Sequence, residues 1–474
     1  MPSFSSNTIA SSLTHGSDAG FAFGIDGTGL ASDYAELLFA SMGLLVCREH
    51  RAADEHPALA WVRSGAMTLT GRADGPPQMC PFPLASCVDG ALAAFNAVSG
   101  ATTGCNPTAT ILSERAALAG LRRNGAISAS GSTRLLRAAD GWIAVSLARQ
   151  ADWELVPAWL DGDYAETWPR LAALISRRAA DVCVERGRLL GLAVASAVQP
   201  NLNPAPWFTV IAEGEPADDT VAEKPPLVVD LTSLWAGPLC THLLQRAGAQ
   251  VIKVESLQRP DGARNGSVDF FDLLNGGKLS VALDLRTPMG IHQLRQLLHR
   301  ADIVIEASRP RALQQLGIDS RTIVAERKGL TWLSITGHGW AEPQGNWIAY
   351  GDDAGVAAGL SGALLDLVGE PMFCGDAIAD PIAGVHAALL ALASHRGGGG
   401  RLLAISLREV LSHCIRFALP DCGEKLHDRW RDWQRIAQVA AIPDSLPAAR
   451  RPAERARALG ADTFAVLADW GIRC

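Results

Sequence analysis

Residues 227–255, LVVDLTSLWAGPLCTHLLQRAGAQVIKVE, contain the pattern that decides the fold of this chain. LVVDLT is a short apolar run typical of a buried strand, AGPLCTHLLQRAG has the spacing of a helix, and AQVIKVE returns to a strand. The alternation continues with LSVALDL, GIHQLRQLLHRA, DIVIEA and LTWLSITG, which predict strand, helix, strand and strand. Strands joined by helices of this length pair in parallel, so the sequence predicts an α/β fold with a doubly wound, Rossmann-like parallel sheet. Ligands of such sheets bind beyond the carboxyl ends of the strands.

The overall composition narrows the class of protein. The 474 residues are 48% hydrophobic and 19% charged, which is typical of a globular protein with two or three packed units. A net charge of -7 gives no support to a nucleic-acid partner. The apolar stretches are shorter than a membrane span and the N-terminus lacks the features of a secretory signal, so we expect a cytoplasmic protein without a membrane partner. The ten cysteines are scattered without CxxC pairs and predict no metal site.

Changes in composition divide the chain into segments. The stretch 206–226 is rich in Pro, Ala and acidic residues, lacks helical or strand periodicity, and is interpreted as a linker. The segment 227–412 is the predicted large, doubly wound domain, and 413–474 is interpreted as a C-terminal docking tail. Before the linker, the segment 105–205 contains GSTRLLRAADGWIAVSL, with an Asp-Gly turn before an apolar strand, and it predicts a smaller mixed α/β domain.

The first segment, 1–104, is interpreted as a degenerate copy of part of the large domain. SGAMTLTGRADGPPQMCPFPLASCVDGALAAF (64–95) can be laid on SGALLDLVGEPMFCGDAIADPIAGVHAALLAL (361–392) if a gap of three residues is allowed. The pairs that this overlay creates are Ser86 with Asp380 and Gly90 with Gly384. The carboxylate exists in only one of the two copies, so at most one half of the chain keeps chemistry that needs it.

Several motifs, in the same order, resemble those of the class III CoA transferases, which include formyl-CoA and carnitine CoA-transferases and the related alpha-methylacyl-CoA racemases. They are VVDLTSLWAGPLCTHLLQRAGAQVIKVE, LLNGGKLSVALDLRTPMG, ADIVIEASRPRALQQLGID, LSITGHG and AIADPIAGVHAALLAL, which are distributed along residues 225–412. The resemblance implies an acyl-CoA and a carboxylic acid as substrates, with coenzyme A as part of a substrate and no permanently bound cofactor. It also implies a homodimer, but family members place the small domain after the catalytic Asp. The rearranged order in this chain leaves the oligomeric state open.

The resemblance gives Asp380 the role of the nucleophile, because A-D-x-x-x-G at the start of the apolar helix 382–394 matches the family motif. In that chemistry a carboxylate attacks the thioester carbonyl of an acyl-CoA, a mixed anhydride forms, and the released thiolate converts it into an enzyme thioester. A helix start supports such a step because its free N–H groups and positive dipole end stabilise negative charge. The alternative from the local sequence alone is that Asp380 caps the helix before Pro381.

The phosphates of CoA require cationic side chains and backbone donors near the strand ends. Arg286, Arg309 and Lys278 stand in family-like motifs beside apolar strands and are the predicted contacts, and the alternative for each is a solvated surface charge. The resemblance also places the turn after the first strand along the pantetheine channel. The residues of this turn that are predicted to contact CoA are Ser233, Leu234, Trp235 and Ala236. Core packing is the alternative for Trp235. A nicotinamide enzyme is not favoured, because the turn lacks G-x-G-x-x-G.

Transfer and racemisation are alternative reactions for this family. Its racemases pair the Asp with a His in a G-H-D segment, and the corresponding stretch IAYGDDAGVAAGLSG places Asp353, or Asp352 after a slip of one residue, where the His is expected. His338 in SITGHG is the candidate substitute, although a His between glycines more often makes a structural hydrogen bond. The sequence therefore favours transfer, and proton exchange by Asp353 and Asp380 is the second hypothesis. A catalytically silent CoA-binding protein is the third, suggested by Ser86 in the eroded first half.

Overall fold

The computed structural model describes residues 22–100, 108–203, 205–217, 224–440, 442–443 and 445–473. The strands in these ranges are β1 (Phe23–Thr28), β2 (Val46–Ala53), β3 (Thr133–Arg137), β4 (Trp142–Ser146), β5 (Ala193–Ser196), β6 (Phe208–Glu213), β7 (Leu227–Leu231), β8 (Gln250–Ser256), β9 (Leu279–Leu283), β10 (Ile303–Glu306), β11 (Thr331–Thr336) and β12 (Arg401–Ser406).

The first eight α-helices lie before the large sheet: α1 (Leu30–Ser41), α2 (Pro57–Arg63), α3 (Leu84–Ser99), α4 (Glu114–Ala119), α5 (Gln150–Glu154), α6 (Val156–Trp159), α7 (Trp168–Ile175) and α8 (Ala180–Leu189). The others follow β7: α9 (Ala236–Arg246), α10 (Val268–Asn275), α11 (Pro288–Arg300), α12 (Pro310–Gln315), α13 (Ser320–Glu326), α14 (Gly351–Ala357), α15 (Leu360–Val368), α16 (Ala379–Arg396), α17 (Leu407–Arg416), α18 (Gly423–Val439) and α19 (Thr463–Asp469). In the part of the chain that the structure describes, no helix has the length and apolar character of a membrane span.

The large sheet has seven strands in the order β6-β12-β11-β10-β7-β8-β9, and the six strands from β7 onward are parallel. The chain builds outward from β7 to β9 on one side and then from β10 to β12 on the other. The predicted doubly wound sheet is therefore confirmed. The strand order reverses between β7 and β10, and in open α/β sheets this reversal creates the crevice where ligands bind.

The predicted linker 206–226 is wrong in its first half. β6 lies inside it and pairs antiparallel with β12 as the edge strand of the large sheet, with Phe208 opposite Ile405. Trp207 and Phe208 are both buried in the core. The residues FTVI favour a strand, but Pro-rich and acidic residues lie on both sides of them. Their pairing partner, β12, is almost 200 residues away in sequence. Residues 218–223 of the linker lie outside the described residues.

A small mixed unit precedes the large sheet, as predicted. β3, β4 and β5 form an antiparallel sheet, and Asp140 and Gly141 lie in the connection between the first two strands. Helices α5 to α8 cover this sheet around a separate core that includes Trp159, Leu171 and Val194. This core draws on residues 136–194, a narrower range than the predicted 105–205, because α4 packs against α10 of the large domain instead.

The N-terminal segment repeats features of the large domain in its local structure. β1, α1 and β2 form a parallel strand-helix-strand unit, like β7, α9 and β8, and α3 packs against α16. A Cβ at Gly90 in α3 would lie 2.3 Å from the carbonyl oxygen of Ala31 in α1, and a Cβ at Gly384 in α16 would lie 2.7 Å from that of Ala236 in α9. The same close approach of two helices thus occurs in both halves, which agrees with a duplication. Residues 1–21 and 101–107 of the chain lie outside the described residues.

The C-terminal residues dock on the edge strand β9. The carboxylate of Asp462 accepts a hydrogen bond from the backbone N–H of Ser280 at 2.8 Å, and the Thr463 hydroxyl accepts one from that of Ala282 at 2.9 Å. Val466 and the residues after it pack into the core beneath this edge. These bonds occupy backbone donors that an open sheet edge would leave unpaired, so the segment blocks pairing with another strand.

Candidate active site

Asp380 lies in the first turn of α16, at the carboxyl edge of the large sheet. Its Oδ2 accepts a hydrogen bond at 3.1 Å from the backbone N–H of Gly351, the first residue of α14. One turn further along α16, the close approach of Gly384 to Ala236 brings α16 against the start of α9. Because α9 follows β7, this contact places Asp380 beside the point where the strand order reverses. The position is the one that a ligand in a doubly wound sheet would reach.

Three further aspartates surround the same helix start: Asp352, Asp353 and Asp376. Oδ1 of Asp352 accepts a hydrogen bond from the backbone N–H of Ala377 at 2.9 Å, and Oδ1 of Asp353 accepts one from that of Tyr350 at 2.8 Å. All three side chains are buried, whereas Asp380 keeps part of its surface exposed. Among these four residues, Asp380 is therefore the least enclosed.

Burial raises the pKa of three of these carboxyl groups. The pKa of Asp380 rises to about 7, because the loss of water and the negative charges of Asp352 and Asp376 outweigh the opposing charge of Arg115. Burial also raises the pKa of Asp352 to about 6 and that of Asp353 to about 8. Asp380 therefore changes between a neutral acid and a nucleophilic carboxylate near neutral pH.

Arg115 reaches these aspartates from α4, far from them in sequence. Its Nε donates a hydrogen bond to Oδ2 of Asp376 at 2.8 Å, and Nη2 makes a second, short bond to Oδ1. The guanidinium also lies over the ring of Trp235, 5.1 Å from its centroid. Sequence reasoning missed Arg115 and Asp376. The GDAIAD stretch made Asp376 visible as a second acidic residue before the helix, but no local signal distinguishes Arg115 from other arginines.

The turn after β7 lies at the predicted edge of the sheet. Ser233 and Leu234 are exposed, and Leu234 adopts a left-handed φ of +69°. Trp235 and Ala236 are buried, and the Trp235 ring meets the edge of Phe270 at 5.2 Å between centroids. A ligand in the crevice would therefore meet the first two residues directly, while Trp235 supports the turn by packing. Contact of these residues with CoA remains a prediction.

A cluster of arginines lies at the same edge: Arg149, Arg259, Arg309 and Arg311. Arg309 follows β10, and its pKa is lowered by burial and by the charges of the other three. Within the described ranges, no hydrogen bond or ion pair occupies its guanidinium. Like charges held together in this way favour binding of an anion. Arg286, after β9, is exposed and paired with Asp284 at 3.2 Å, and its predicted phosphate contact remains a prediction.

The prediction that Lys278 contacts a phosphate is wrong. Its side chain is 2% exposed, and its Nζ makes four polar contacts within the protein. The partners are Asp230 Oδ2 at 3.1 Å, Thr241 Oγ1 at 2.7 Å, Asn275 Oδ1 at 3.1 Å and the Pro238 carbonyl at 3.1 Å. The ammonium group has no donor left for a ligand, and the apolar residues that follow it in the sequence gave no sign that the Lys itself points inward.

The prediction of a catalytic role for His338 is also wrong. The ring is fully buried, its edge packs against Trp347, and its two nitrogens have no hydrogen-bond partner among the described residues. Burial and the charges of Arg188 and Arg408 lower its pKa to about 3, so the imidazole is neutral and cannot act as an acid at ordinary pH. The expected structural hydrogen bond is absent from the described part of the chain as well.

The comparison with known proteins matches one family. The sequence model of CoA-transferase family III fits residues 226–430. This segment, the family III segment, is similar to CoA-transferase family III and makes up less than half of the chain. The succinate–glutarate CoA-transferase of Agrobacterium fabrum is 32% identical over 219 residues, which are 41% of this chain and 54% of that protein. The formyl-CoA:oxalate CoA-transferase of Bradyrhizobium is 30% identical over 234 residues, 47% of this chain and 55% of that protein.

The chain spans about half the length of the curated relatives that it matches. A crystal structure of a CAIB/BAIF family protein from Brucella suis is 27% identical, covers 47% of this chain and 58% of that one, and superposes with a TM-score of 0.36. The family III segment contains all four aspartates of the site and Arg309. Arg115 and Arg149 lie outside it, in the N-terminal part of the chain.

The buried carboxyl group of Asp353 leads to a prediction about stability. Its folded-state pKa of about 8 lies above the ordinary value of 3.8, so the native state binds more protons than the unfolded state between these values. Folding stability is therefore lost as pH rises from about 4 through 8. We expect Asp353→Asn, which keeps an acceptor for the N–H of Tyr350, to raise the free energy of unfolding at pH 9 by roughly 5 kcal/mol and to change it little at pH 4.

Urea unfolding of both proteins at the two pH values measures this effect. Asp366→Asn is a suitable control, because Asp366 lies on α15 and is not one of the four carboxyl groups of the site. Equal stability of Asp353→Asn and the natural protein at pH 9 would show that Asp353 is not held in a neutral form.

Proposed function

We propose that this protein transfers CoA between an acyl-CoA thioester and a carboxylic acid through a covalent thioester on Asp380. The observation that carries the proposal is the position of Asp380: a partly exposed residue at a helix start, beside the reversal point of the sheet, within the family III segment. The relatives that match are named as transferases for succinate and glutarate, for formate and oxalate, and for succinate and D-citramalate. A small carboxylic acid is therefore the first acceptor to test.

The reaction has two parts. A carboxylate oxygen of Asp380 attacks the thioester carbonyl, the C–S bond breaks, and CoA leaves as a thiolate while an acyl–aspartyl anhydride forms. The thiolate then attacks the aspartyl carbonyl, which releases the donor acid as a carboxylate and leaves CoA bound to Asp380 as a thioester. The acceptor carboxylate repeats these steps in reverse order and leaves as the new acyl-CoA. No proton is gained or lost overall, and no ATP is consumed.

The neighbouring groups suit this chemistry. The backbone N–H of Gly351 donates a hydrogen bond to Asp380. It can stabilise the negative charge on the carboxyl oxygen as the anhydride forms and breaks. The exposed turn at Ser233 and Leu234 borders the route to the crevice, and the arginine cluster around Arg309 supplies positive charge for the phosphates of CoA. A homodimer, a cytoplasmic location and the lack of a permanently bound cofactor remain predictions.

The activity test is an exchange assay with purified protein. Succinyl-CoA, formyl-CoA and longer branched acyl-CoAs are each incubated with a panel of free acids, and new acyl-CoAs are separated by chromatography. We expect one or more donor–acceptor pairs to exchange CoA without ATP. Hydrolysis without exchange, or no reaction with any pair although CoA binds, would contradict transfer and would favour the silent CoA-binding protein.

Racemisation is a second candidate because of one specific observation. Asp353, at the position where the resemblance expects the His of family racemases, has a pKa of about 8, and its buried Oδ2 has no hydrogen-bond partner among the described residues. A neutral Asp353 and an ionised Asp380 would form the acid and base that proton exchange at the α-carbon requires. Incubation with 2-methylacyl-CoA in deuterated water separates the candidates, because racemisation incorporates deuterium without any acceptor acid and transfer does not.

The arginine cluster leads to a binding prediction. Replacing Arg309 by Met removes one cation that faces three others, so we expect the Kd for CoA to rise about tenfold through loss of a charge-assisted phosphate contact. Isothermal titration with free CoA measures the change, and titration with 3'-dephospho-CoA tells which phosphate is involved. Arg431→Met, on the exposed face of α18, is the control and should leave the Kd unchanged. An equal Kd for Arg309→Met and the control would exclude the cluster as the phosphate site.

A further inference from the structure

The short helix α4 is fixed against the family III segment by two neighbouring side chains. Glu114 is buried and pairs with Arg450 through hydrogen bonds of 2.6 and 2.8 Å, and Arg450 in turn contacts His242 of α9 at 3.1 Å. The side chain of the next residue, Arg115, binds Asp376. The N-terminal part of the chain is therefore held at a fixed position against the start of α9 and the turn before α16.

Asp376 begins the turn that leads into α16. The following residue, Ala377, has a left-handed φ of +41°, which is unusual for Ala, and its N–H is held by Asp352. The N–H of Asp380 then bonds to the Ala377 carbonyl at 2.9 Å. Arg115 binds both oxygens of Asp376, so it fixes the first residue of the turn whose last residue is Asp380.

The charged groups around Asp380 are mostly acidic. The groups that face it are Arg115 from α4, Tyr350, Asp352 and Asp353 from the start of α14, and Asp376 from the turn before α16. Arg115 is the cation whose charge acts on Asp352, Asp376 and Asp380 together. Without it, the repulsion among the three carboxyl groups would lose the opposing charge that acts on all of them.

We propose that Arg115 is a positioning residue for Asp380, supplied by the N-terminal part of the same chain. It holds Asp376, fixes the turn before α16 and supplies the positive charge of a site whose acidic groups all come from the family III segment. The role of Asp380 as nucleophile rests on the proposed function, but the effect of Arg115 on Asp380 does not. The N-terminal part is thus a component of the site, in addition to being the predicted degenerate copy of part of the large domain.

The test follows the titration of Asp380 directly. Protein labelled with ¹³C at the aspartate carboxyl is titrated by NMR, and the Asp380 signal is assigned by its loss in Asp380→Asn. We expect Arg115→Met to raise the titration midpoint of Asp380 by about one pH unit. In the transfer assay this predicts a rate about fivefold lower at pH 7 and largely restored at pH 9, with an unchanged KM for the acyl-CoA.

Further variants separate a charge effect from a merely structural one. Arg115→Met combined with Asp376→Asn removes a cation and an anion together, so the midpoint should return toward that of the natural protein. Arg115→Lys keeps the charge and should shift the midpoint less than Arg115→Met. The control is Arg123→Met, since Arg123 lies in the same segment and donates only to backbone carbonyls.

The outcomes distinguish the proposals. An unchanged midpoint in Arg115→Met, or the same change in Arg123→Met, would overturn the role of Arg115. If Arg115→Met does not fold, Asp376→Asn and the double variant decide. The double variant lacks the Arg115 charge, so its midpoint should be higher than that of Asp376→Asn, and equal midpoints in the two would overturn the proposal. Because the NMR titration needs no substrate, a shifted midpoint in a protein without transferase activity would support Arg115 while the proposed function fails.

Discussion

Asp380→Asn is expected to lower the rate of CoA transfer at least about 1000-fold, because the amide nitrogen removes the nucleophilic oxygen on which both anhydride and thioester depend. The substitution keeps the size of the side chain and an oxygen that can accept the hydrogen bond from Gly351. Binding of CoA should therefore stay within about twofold of the natural protein, since the loss concerns the chemical step only. Steady-state exchange assays and titration with free CoA measure the two quantities separately.

A control for this prediction is Asp366→Asn, which changes an aspartate on α15 that is not among the carboxyl groups of the site. It should leave the rate unchanged. The pH profile gives a second check: activity of the natural protein should rise with pH through about 7, the pKa to which burial raises the Asp380 carboxyl group. An Asp380→Asn protein that keeps a tenth or more of the rate would show that another group attacks the thioester.

Lys278→Met is expected to lower the free energy of unfolding by about 3–5 kcal/mol. Lys278 and Lys253 are both buried beside the carboxylate of Asp230, which is fully buried itself. Burial alone would raise the pKa of Asp230, but the charges of the two lysines lower it to about 2. Removing Lys278 leaves that carboxylate with too little positive charge in a buried site.

Chemical unfolding at pH 7 measures this loss. Lys425→Met removes an exposed lysine whose pair with Asp421 lies on the surface, and it should change stability by less than about 1 kcal/mol. Adding Asp230→Asn to Lys278→Met removes the uncompensated charge, so part of the stability should return. A loss in Lys278→Met no larger than that in Lys425→Met would show that the buried ion pair does not hold β7 and α9 together.

The fold of the large domain could be predicted because its strands are short apolar runs separated by helices, and such runs need no partner to be recognised. The position of Asp380 at a helix start could be predicted because A-D-x-x-x-G before an apolar helix is a local motif, and its role as the nucleophile stays a prediction. β6 was missed because its pairing partner, β12, lies almost 200 residues away and its flanks resemble a linker. Local composition does not report a contact of that kind.

The errors at the site have the same origin. Lys278 and His338 have residue types that suit a functional site, and only the packing around them shows that one is saturated by protein acceptors and the other enclosed beside Trp347. Arg115 was missed for the opposite reason, because it becomes part of the site only when α4 folds against α16. Whether a charged side chain lies inside or outside depends on distant segments, which single positions in a sequence do not reveal.

The most direct test of the central claim is intact-mass spectrometry of the protein quenched in acid during reaction with an acyl-CoA that it uses. The account predicts a covalent adduct with the mass of CoA less one water, which hydroxylamine converts to a hydroxamate that peptide mapping places on Asp380. The adduct should be absent from Asp380→Asn and Asp380→Ala. An adduct on a cysteine or another aspartate, or full turnover with no adduct at any quench time, would contradict the account.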